Sequence, residues 1–433
     1  MKLAKSLFLG SVAGLAAVAG AQAADLPAKK AAAVEYVRVC STYGAGFFYI
    51  PGTETCLRVG GRVRAEFRYV EPLDRSQDAI GFRTRGRLNI DARTATAYGL
   101  LRTFVRFEMT RDTGVYGFSS TTANVDQAFI QFGGLTAGRT VSFYDNSDLP
   151  TGHFGTLRFS DAPTVNVFAY TFSFGNGFSA TLAAEEGRFA GTFLGNRQVT
   201  TNGVVSIVPN TLFNEAGQTY PDLVGNVKYA GTWGSAQLSG ALHQLRSDDL
   251  VAVGPGAFDY PDSELGWSVS FQGSLNLPSL AAGDALWFAA SYADGALGYL
   301  GFGSSATVGS LNVSIADAVV GIDGDIETGT GWSLAGGLRH YWTPTIRQNV
   351  FGSYARVEYG NDLIRGFLPG SVINASAFDF DEWRAGTNVI WSPVSGLDLG
   401  VEVLYANVDP RGPDPVGSDN DVWEGRLRVQ RDF

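Results

Sequence analysis

Three stretches near the start of this 433-residue chain alternate so strictly that they leave the backbone one conformation. In the first, Val59, Val63, Ala65, Phe67 and Tyr69 alternate with Arg62, Arg64, Glu66 and Arg68. In the second, Phe82, Leu88, Ile90 and Ala92 oppose Arg83, Arg85, Arg87, Asn89, Asp91 and Arg93. In the third, Leu101, Val105, Phe107 and Met109 oppose Arg102, Arg106 and Glu108. A period of two residues, apolar on one face and charged on the other, belongs to a β-strand. The end of the chain repeats it: Trp423, Gly425, Leu427, Val429 and Phe433 share one parity, and Glu424, Arg426, Arg428, Gln430 and Asp432 the other. An Arg turned into hydrocarbon costs ~2–4 kcal/mol at the bilayer midplane. The charged faces must therefore meet water, either around a soluble sheet or inside a wet cavity.

The start of the chain sets the compartment. Lys2 and Lys5 precede an apolar run over 7–19, followed by Ala21, Gln22 and Ala23. This is the pattern of a cleavable secretory signal, with cleavage expected after Ala23. The run is too short for a spanning helix, and no later stretch reaches the ~18 apolar residues such a helix needs. Phe, Tyr and Trp make up 12% of the chain, while mean hydropathy is close to zero. A helical membrane protein would be more apolar, and a disordered chain poorer in aromatics. The formal charge of −10 becomes −12 once Lys2 and Lys5 are removed, which argues against nucleic-acid binding.

Sixteen strands can be counted: 59–69, 82–93, 101–109, 125–132, 135–143, 165–174, 178–185, 223–229, 233–244, 265–275, 285–293, 331–341, 347–359, 383–391, 397–408 and 422–433. One set of connections is tight: 94–98, 133–134, 175–177, 230–232, 278–283, 342–345 and 393–396. The alternate set is long: 71–78, 110–123, 144–163, 187–220, 245–262, 294–329, 360–379 and 409–420. Short and long connections alternate without exception, as periplasmic turns and outer loops do in outer-membrane barrels. The expected fold is thus all-β, a sixteen-stranded antiparallel transmembrane β-barrel in the outer membrane, with both ends on the periplasmic side. Tyr69, Tyr98, Trp233, Trp267, Trp342, Trp391 and Trp423 lie at strand ends, where an interfacial girdle would want them. The expected organisation is a signal peptide over 1–23, an N-terminal periplasmic segment over 24–56 and the barrel over 57–433.

Sixteen to eighteen strands leave an aqueous channel, whereas about eight fill their own interior. The stretch 57–110 carries 11 Arg and 6 acids, a balance of +5. The third long connection carries Asp145, Asp148 and Asp161 against a single Arg158. An acidic loop folded against a basic wall would set a transverse field across the bore and narrow it. The expected constriction is Arg62, Arg64, Arg83, Arg85, Arg87, Arg102 and Arg106 on one side, with Asp145, Asp148 and Asp161 on the other. The plainer reading is that these arginines only keep the inner face wet.

The run VRVCSTYGAGFFYIPGTETCLRVGGR over 37–62 resembles the N-terminus of the alphaproteobacterial porins of the Rhizobium and Brucella type. Ala24, Asp25, Leu26 and Pro27 after the signal, and the final Phe433, also match. The resemblance implies a homotrimeric general porin, set in outer-membrane lipid and lipopolysaccharide, whose third loop folds inward as a constriction. Arg431 departs from the pattern, because an apolar residue is usual there.

The remaining chemistry-bearing residues are few. Cys40 and Cys56 are the only cysteines, and export to an oxidising compartment makes a disulfide their expected state. Closing that loop contributes roughly 3 kcal/mol in the chain-entropy model. A small hairpin, 35–39 with 47–50, is expected between them. His153, His243 and His340 show no metal-ligand or catalytic spacing, and no cofactor motif occurs. Asp323, Asp325 and Glu327 within 294–329 have calcium-like spacing without the rest of the twelve-residue pattern, which favours a solvated loop tip. The sequons at Asn312 and Asn374 mean little in a bacterial barrel. The function expected is passive diffusion of small hydrophilic solutes and ions, without catalysis. The rivals are a substrate- or anion-preferring channel and a plugged structural or adhesive barrel.

Overall fold

The computed structural model describes residues 38–72, 75–191, 193–201, 204–211, 213, 215–255, 257–303, 306–308, 311–313, 315–365, 372–411 and 420–433. The expected signal peptide and the segment up to residue 37 lie outside the described residues. Alternating apolar and polar side chains, broken by turn residues, produce the barrel strands β1 (Cys56–Val70), β2 (Ile80–Thr96), β3 (Gly99–Gly114), β4 (Phe118–Phe132), β5 (Leu135–Val141), β6 (Thr164–Gly175), β7 (Phe178–Glu185) and β8 (Asp222–Gly231). The other eight are β9 (Gly234–Leu245), β10 (Glu264–Asn276), β11 (Ala285–Asp294), β12 (Thr330–Thr343), β13 (Ile346–Glu358), β14 (Phe380–Val394), β15 (Leu397–Pro410) and β16 (Asn420–Asp432). Each pairs antiparallel with its sequence neighbour.

The cylinder closes where β16 returns to β1, in a register from Arg62 opposite Asp432 to Val70 opposite Glu424. Beyond that ladder, Gly61 donates to the Phe433 carbonyl at 2.9 Å and accepts from the Phe433 amide at 3.1 Å. The Phe433 ring lies across Gly61, where a Cβ would come within 2.6 Å of its Cζ. Only a glycine lets the terminal aromatic dock on the closing seam. Arg431, on the outward parity, reaches back to the Ser395 carbonyl in a periplasmic turn. Its charge therefore sits at the interface, as a snorkelling side chain does.

Turn chemistry sets the periplasmic end. Between β6 and β7, Asn176 and Gly177 have φ of 51° and 87°, the two positive values of a type I′ hairpin. Outward residues such as Val63, Phe82, Leu88, Phe107, Leu238 and Leu427 are exposed and form the apolar belt. At the outer rim a ring of aromatics runs from strand to strand. Tyr405 packs against Trp423 at 5.0 Å, Trp383 against Tyr405 at 4.9 Å, Trp332 against Tyr354 at 4.9 Å, and Trp267 against Tyr292 at 5.4 Å. These are edge-tolerant pairs whose amphipathic rings suit a membrane–water boundary.

The second outer connection departs from expectation. Residues 110–123 read as a long loop, yet β3 runs to Gly114 and β4 starts at Phe118, leaving three residues. The Thr- and Ser-rich run 119–122 pairs with 110–113 as a ladder, because β-branched threonine suits a strand even where it is polar. Small hairpins also form within the longer connections: Phe193–Thr201 with Val204–Thr211, Val251–Gly254 with Ala257–Asp259, and Ala318–Val320 with Ile326–Thr328.

Ahead of β1, Cys40 and Cys56 form a disulfide, with Cα atoms 6.0 Å apart. Val39 bridges Phe48, and the short strand Phe48–Tyr49 pairs with the start of β1, so the described part of the expected hairpin is present. Residues 35–37 lie outside the described residues. Cys40, Phe47 and Cys56 are buried together against Tyr43 and Tyr49.

Candidate functional site

The inward parity of β16, β1, β2, β3 and β4 forms one continuous polar wall. Register places like charges opposite each other: Arg62 faces Arg87, Arg64 faces Arg85, and Arg93 faces Arg102. Such pairs are destabilising unless screened, and carboxylates sit between them. Asp432 takes Arg62 at 2.5 Å, Glu108 takes Arg87 at 2.6 Å and Arg85 at 3.2 Å, and Asp91 takes Arg93 at 2.8 Å and Arg102 at 3.0 Å. Asp112 is shared by Arg83 at 2.6 Å and Arg68 at 3.2 Å, and Asp126 lies 3.4 Å from Arg106. Arg64 donates to Gln430 at 2.9 Å, and Arg428 holds Glu66 across the closing seam. Phe104 and Phe129 stack at 5.3 Å within this polar field, with the Arg102 guanidinium over both rings and Arg106 over Phe104.

All seven arginines expected at a constriction thus come together on one wall. Their side chains, where paired with acids, keep about a fifth to a quarter of their surface exposed, from 18% at Arg87 to 27% at Arg62. That exposure is toward the lumen, because the outward parity is apolar. The wall is less bare than its sequence suggested. Ten of its guanidinium groups (Arg62, Arg64, Arg68, Arg83, Arg85, Arg87, Arg93, Arg102, Arg106 and Arg428) stand among six of its carboxylates (Glu66, Asp91, Glu108, Asp112, Asp126 and Asp432), and Arg58 and the Arg426–Glu424 pair share the same parity. Asp112 was hidden in the stretch read as a loop. Asp126 sits at a β-bulge opposite the Arg106–Phe107 step, which breaks the alternation that would have flagged it.

The third outer connection, L3 (142–163), folds into the barrel and crosses to the opposite wall. Tyr144 Oη and Ser268 Oγ are 2.6 Å apart, and the Asn146 amide donates to Gln272 at 2.8 Å, tying the loop to β10. Asn388 donates to the Gly152 carbonyl at 2.9 Å, on β14. The amides of Phe154 and Gly155 donate to the two oxygens of Glu402 at 2.6 and 2.5 Å, on β15. The Arg426 guanidinium donates to the Phe154 carbonyl at 2.6 Å, and Arg428 stacks over the Phe154 ring at 3.8 Å, on β16. Arg158 donates to Glu382 at 2.7 Å, and its amide to Ser353 at 2.9 Å. Leu157 and Phe159 complete the dock by packing with Trp287, Phe351 and Leu404.

The three loop acids have different surroundings. Asp145 is buried, 3.5 Å from the Arg188 guanidinium, with no face to the lumen. Burial pushes its carboxyl up from the usual range, and Arg188 opposes that rise. Asp148 pairs with Lys228 of β8 at 2.7 Å, and Asp161 lies 3.4 Å from His153; both side chains are 47% exposed. Among the described residues, no ion pair joins these acids to the arginine wall. Burial raises the neighbouring Tyr144 hydroxyl to about 12 and lowers Arg158.

The outer half of the interior is apolar on the L3 side. The buried turn Leu297–Leu300 of L6 (295–329) packs with inward Ala169, Ala183, Val224 and Ala241 of the barrel and Tyr359 of L7 (359–379). Arg188 of L4 (186–221) joins these loops. Its guanidinium donates to Ser160 of L3 at 2.6 Å and to the Gly298 carbonyl of L6 at 3.1 Å, and stacks over Tyr299 at 4.3 Å. Asp317 of L6, raised to about 7 by burial, accepts from the Ala190 and Gly298 amides. At the outermost tip, the Asp323 carboxylate accepts from the Asp325 amide at 3.3 Å in a tight turn. Among the described residues no group of His, Cys, Asp and Glu could hold a metal ion.

A family profile described as the porin subfamily matches residues 25–425. Porin Omp2b of Brucella suis is 30% identical over 450 residues, covering 99% of this chain and 99% of that protein. Porin Omp2b of Brucella abortus (strain 2308) is 31% identical over 444 residues, with 99% of each covered. Among solved structures, the outer membrane channel DcaP of Acinetobacter baumannii aligns over 89% of this chain and 99% of its own, at a TM-score of 0.63 and 16% identity. Outer-membrane OmpT of Vibrio cholerae aligns at a TM-score of 0.52 and 9% identity, over 89% and 99%. At such identities these structural likenesses speak for the fold alone.

The docking of L3 generates a test. Glu402→Ala removes the acceptor of two amides, each costing ~1–3 kcal/mol if left buried and unpaired. Open-channel current noise is expected to rise, and 152–156 to become a protease site. Unchanged noise and an uncleaved loop would show that Glu402 does not hold L3.

Proposed function

The chain belongs to the porin subfamily, and on that premise we propose how its lumen sorts solutes. It is an outer-membrane porin: its barrel forms a water-filled channel for passive diffusion of small hydrophilic solutes and ions. The observation that carries the finer reading is the division of the interior, with charge concentrated on β16 to β4 and L3 packed on β10 to β16. We assign the constriction to the gap between them. Arg62, Arg64, Arg83, Arg85, Arg87, Arg102 and Arg106 form its basic side, and the exposed Asp148 and Asp161 its acidic side. Asp145 we move to a different role, an anchor of the loop base through Arg188.

A field between opposed charges orients water and polar solutes, and an apolar solute would have to displace that ordered water. The reading needs no catalytic residue, and we treat the chain as a channel rather than an enzyme. With Arg58, Arg426 and Glu424 of the same inward parity added, the wall carries twelve guanidinium groups against seven carboxylates, and this positive surplus favours anions, although the chain as a whole is acidic. At ~8 Å in a water-like medium one charge is worth ~0.5 kcal/mol to a passing ion, less after salt screening. Replacing Arg85 and Arg87 with Gln, which also strands Glu108, is expected to shift the cation-to-anion permeability ratio roughly fivefold toward cations. Reversal potentials in planar bilayers read this directly, and an unchanged ratio removes both residues from the constriction. Should no conductance appear at all, the structural or adhesive barrel becomes the better reading.

We also propose that the barrel assembles as a homotrimer within outer-membrane lipid and lipopolysaccharide. What supports this is the family, together with the outward faces of β1 to β5. There the small residues Ala65, Thr84, Gly86, Thr103, Ala128 and Ala137 lie on the outward parity among the larger apolar side chains, leaving room for those of a neighbouring barrel. Light scattering of the detergent-extracted native complex should give three copies, and a single copy would contradict it.

A further inference from the structure

At the outer end of the arginine wall a cavity of about 270 Å³ lies between the ends of β1, β3, β14 and β16 and the tip of L3. Its polar lining is Arg68, Asp112, Thr113, Thr156, Arg384, Glu424 and Arg426. Each carboxylate here is already divided between guanidinium groups. Asp112 serves Arg68 at 3.2 Å and Arg83 at 2.6 Å, and Glu424 lies 3.1 Å from Arg426 and 3.8 Å from Arg384. The pocket is left with more positive charge than negative. Arg68 has donor capacity to spare: one of its terminal nitrogens bonds Asp112 at 3.2 Å, and the side chain keeps 20% of its surface exposed. A guanidinium carries five N–H donors in a planar fork that matches the oxygens of a carboxylate or phosphate.

We propose that this pocket is an oxyanion-binding site at the channel entrance, which captures a small carboxylate or phosphate on Arg68, with the charge of Arg426 beside it, before it meets the rest of the wall below. The argument rests on the lumen being a conducting channel. The volume is smaller than a drug-sized cleft, which limits the ligand to a few heavy atoms. Val70, Val115 and Phe118 close the apolar side of the pocket. They lower the local dielectric and strengthen the charge-assisted bonds. Thr156 places an L3 residue at the rim, and Arg384 donates to its carbonyl at 3.3 Å. An oxyanion seated there would therefore lie against the loop that narrows the bore.

The test uses single channels of the full-length protein in planar bilayers, with inorganic phosphate titrated against chloride at constant ionic strength. Phosphate is expected to reduce or interrupt the chloride current in a saturable way. Arg68→Gln should raise the half-blocking concentration roughly fivefold, by loss of a charge-assisted fork. Glu424→Gln, which removes a competing carboxylate, should lower it. A variant that merely misfolds would not tighten the site, so the opposite signs of the two changes protect the result from a folding artefact. A chloride current indifferent to phosphate, or two variants with the wild-type dependence, overturns the site while leaving the channel intact. Absence of any chloride current overturns the channel reading instead.

Discussion

The hydrogen-bond ladder between β1 and β16 is the constraint from which the rest of the molecule follows. Within hydrocarbon every backbone amide and carbonyl must be paired inside the protein, and a sheet can do that only by closing on itself. Here closure joins residues about 370 positions apart, with Arg62 bonded to Asp432 across the seam. Sixteen strands then fix the width, the width leaves room for water, and water permits a wall of guanidinium groups. The seam is built for close approach, since Gly61 makes space for the ring of Phe433 and Arg431 sends its charge to the periplasmic turn.

Inside the cylinder the two halves follow different physics. On β16 to β4 many side chains are long and charged, and interleaved carboxylates hold most of the guanidinium groups while leaving them partly exposed. On the opposite side many inward positions are Ala, Ser, Gln and Val, short enough for loops to pack upon, and the buried Glu382, Asn388 and Glu402 among them serve the loop as hydrogen-bond partners. L3 is fastened there mostly by polar groups of the wall to its own backbone, at Glu402, Asn388, Ser353 and Arg426. Backbone anchoring fixes where the loop lies and leaves Asp148 and Asp161 facing outward from it. Arg188 then ties L3, L4 and L6 into one mass, so the outer loops narrow the mouth together.

Much of the barrel could be read from the residues. All sixteen strands carry their period-2 signal, and the dipeptide Asn176-Gly177 marks its turn within the tight connection 175–177. The run 119–122 escaped because Ser and Thr are common to loops and to polar strand faces. The counter-charges escaped for another reason: Arg428 and Glu66 are 362 residues apart, and pairing across the seam has no local trace. The environment of Asp145 was equally hidden, since its partner Arg188 lies in the next outer loop. Composition placed an acidic loop beside a basic wall, but only tertiary packing tells which wall the loop covers. The family resemblance supplied the inward fold of L3, which periodicity cannot express.

The central claim is that one face of β2 meets water inside the barrel while the other meets lipid. Single cysteines placed by Arg85→Cys and Leu88→Cys in vesicle-embedded protein test it most directly, because the native cysteines are paired in a disulfide. A charged, membrane-impermeant thiol reagent should label position 85 readily and leave position 88 untouched, with a fluorophore at 88 quenched by lipid-borne quenchers. Aqueous labelling of position 88 at the rate of position 85 would contradict the account.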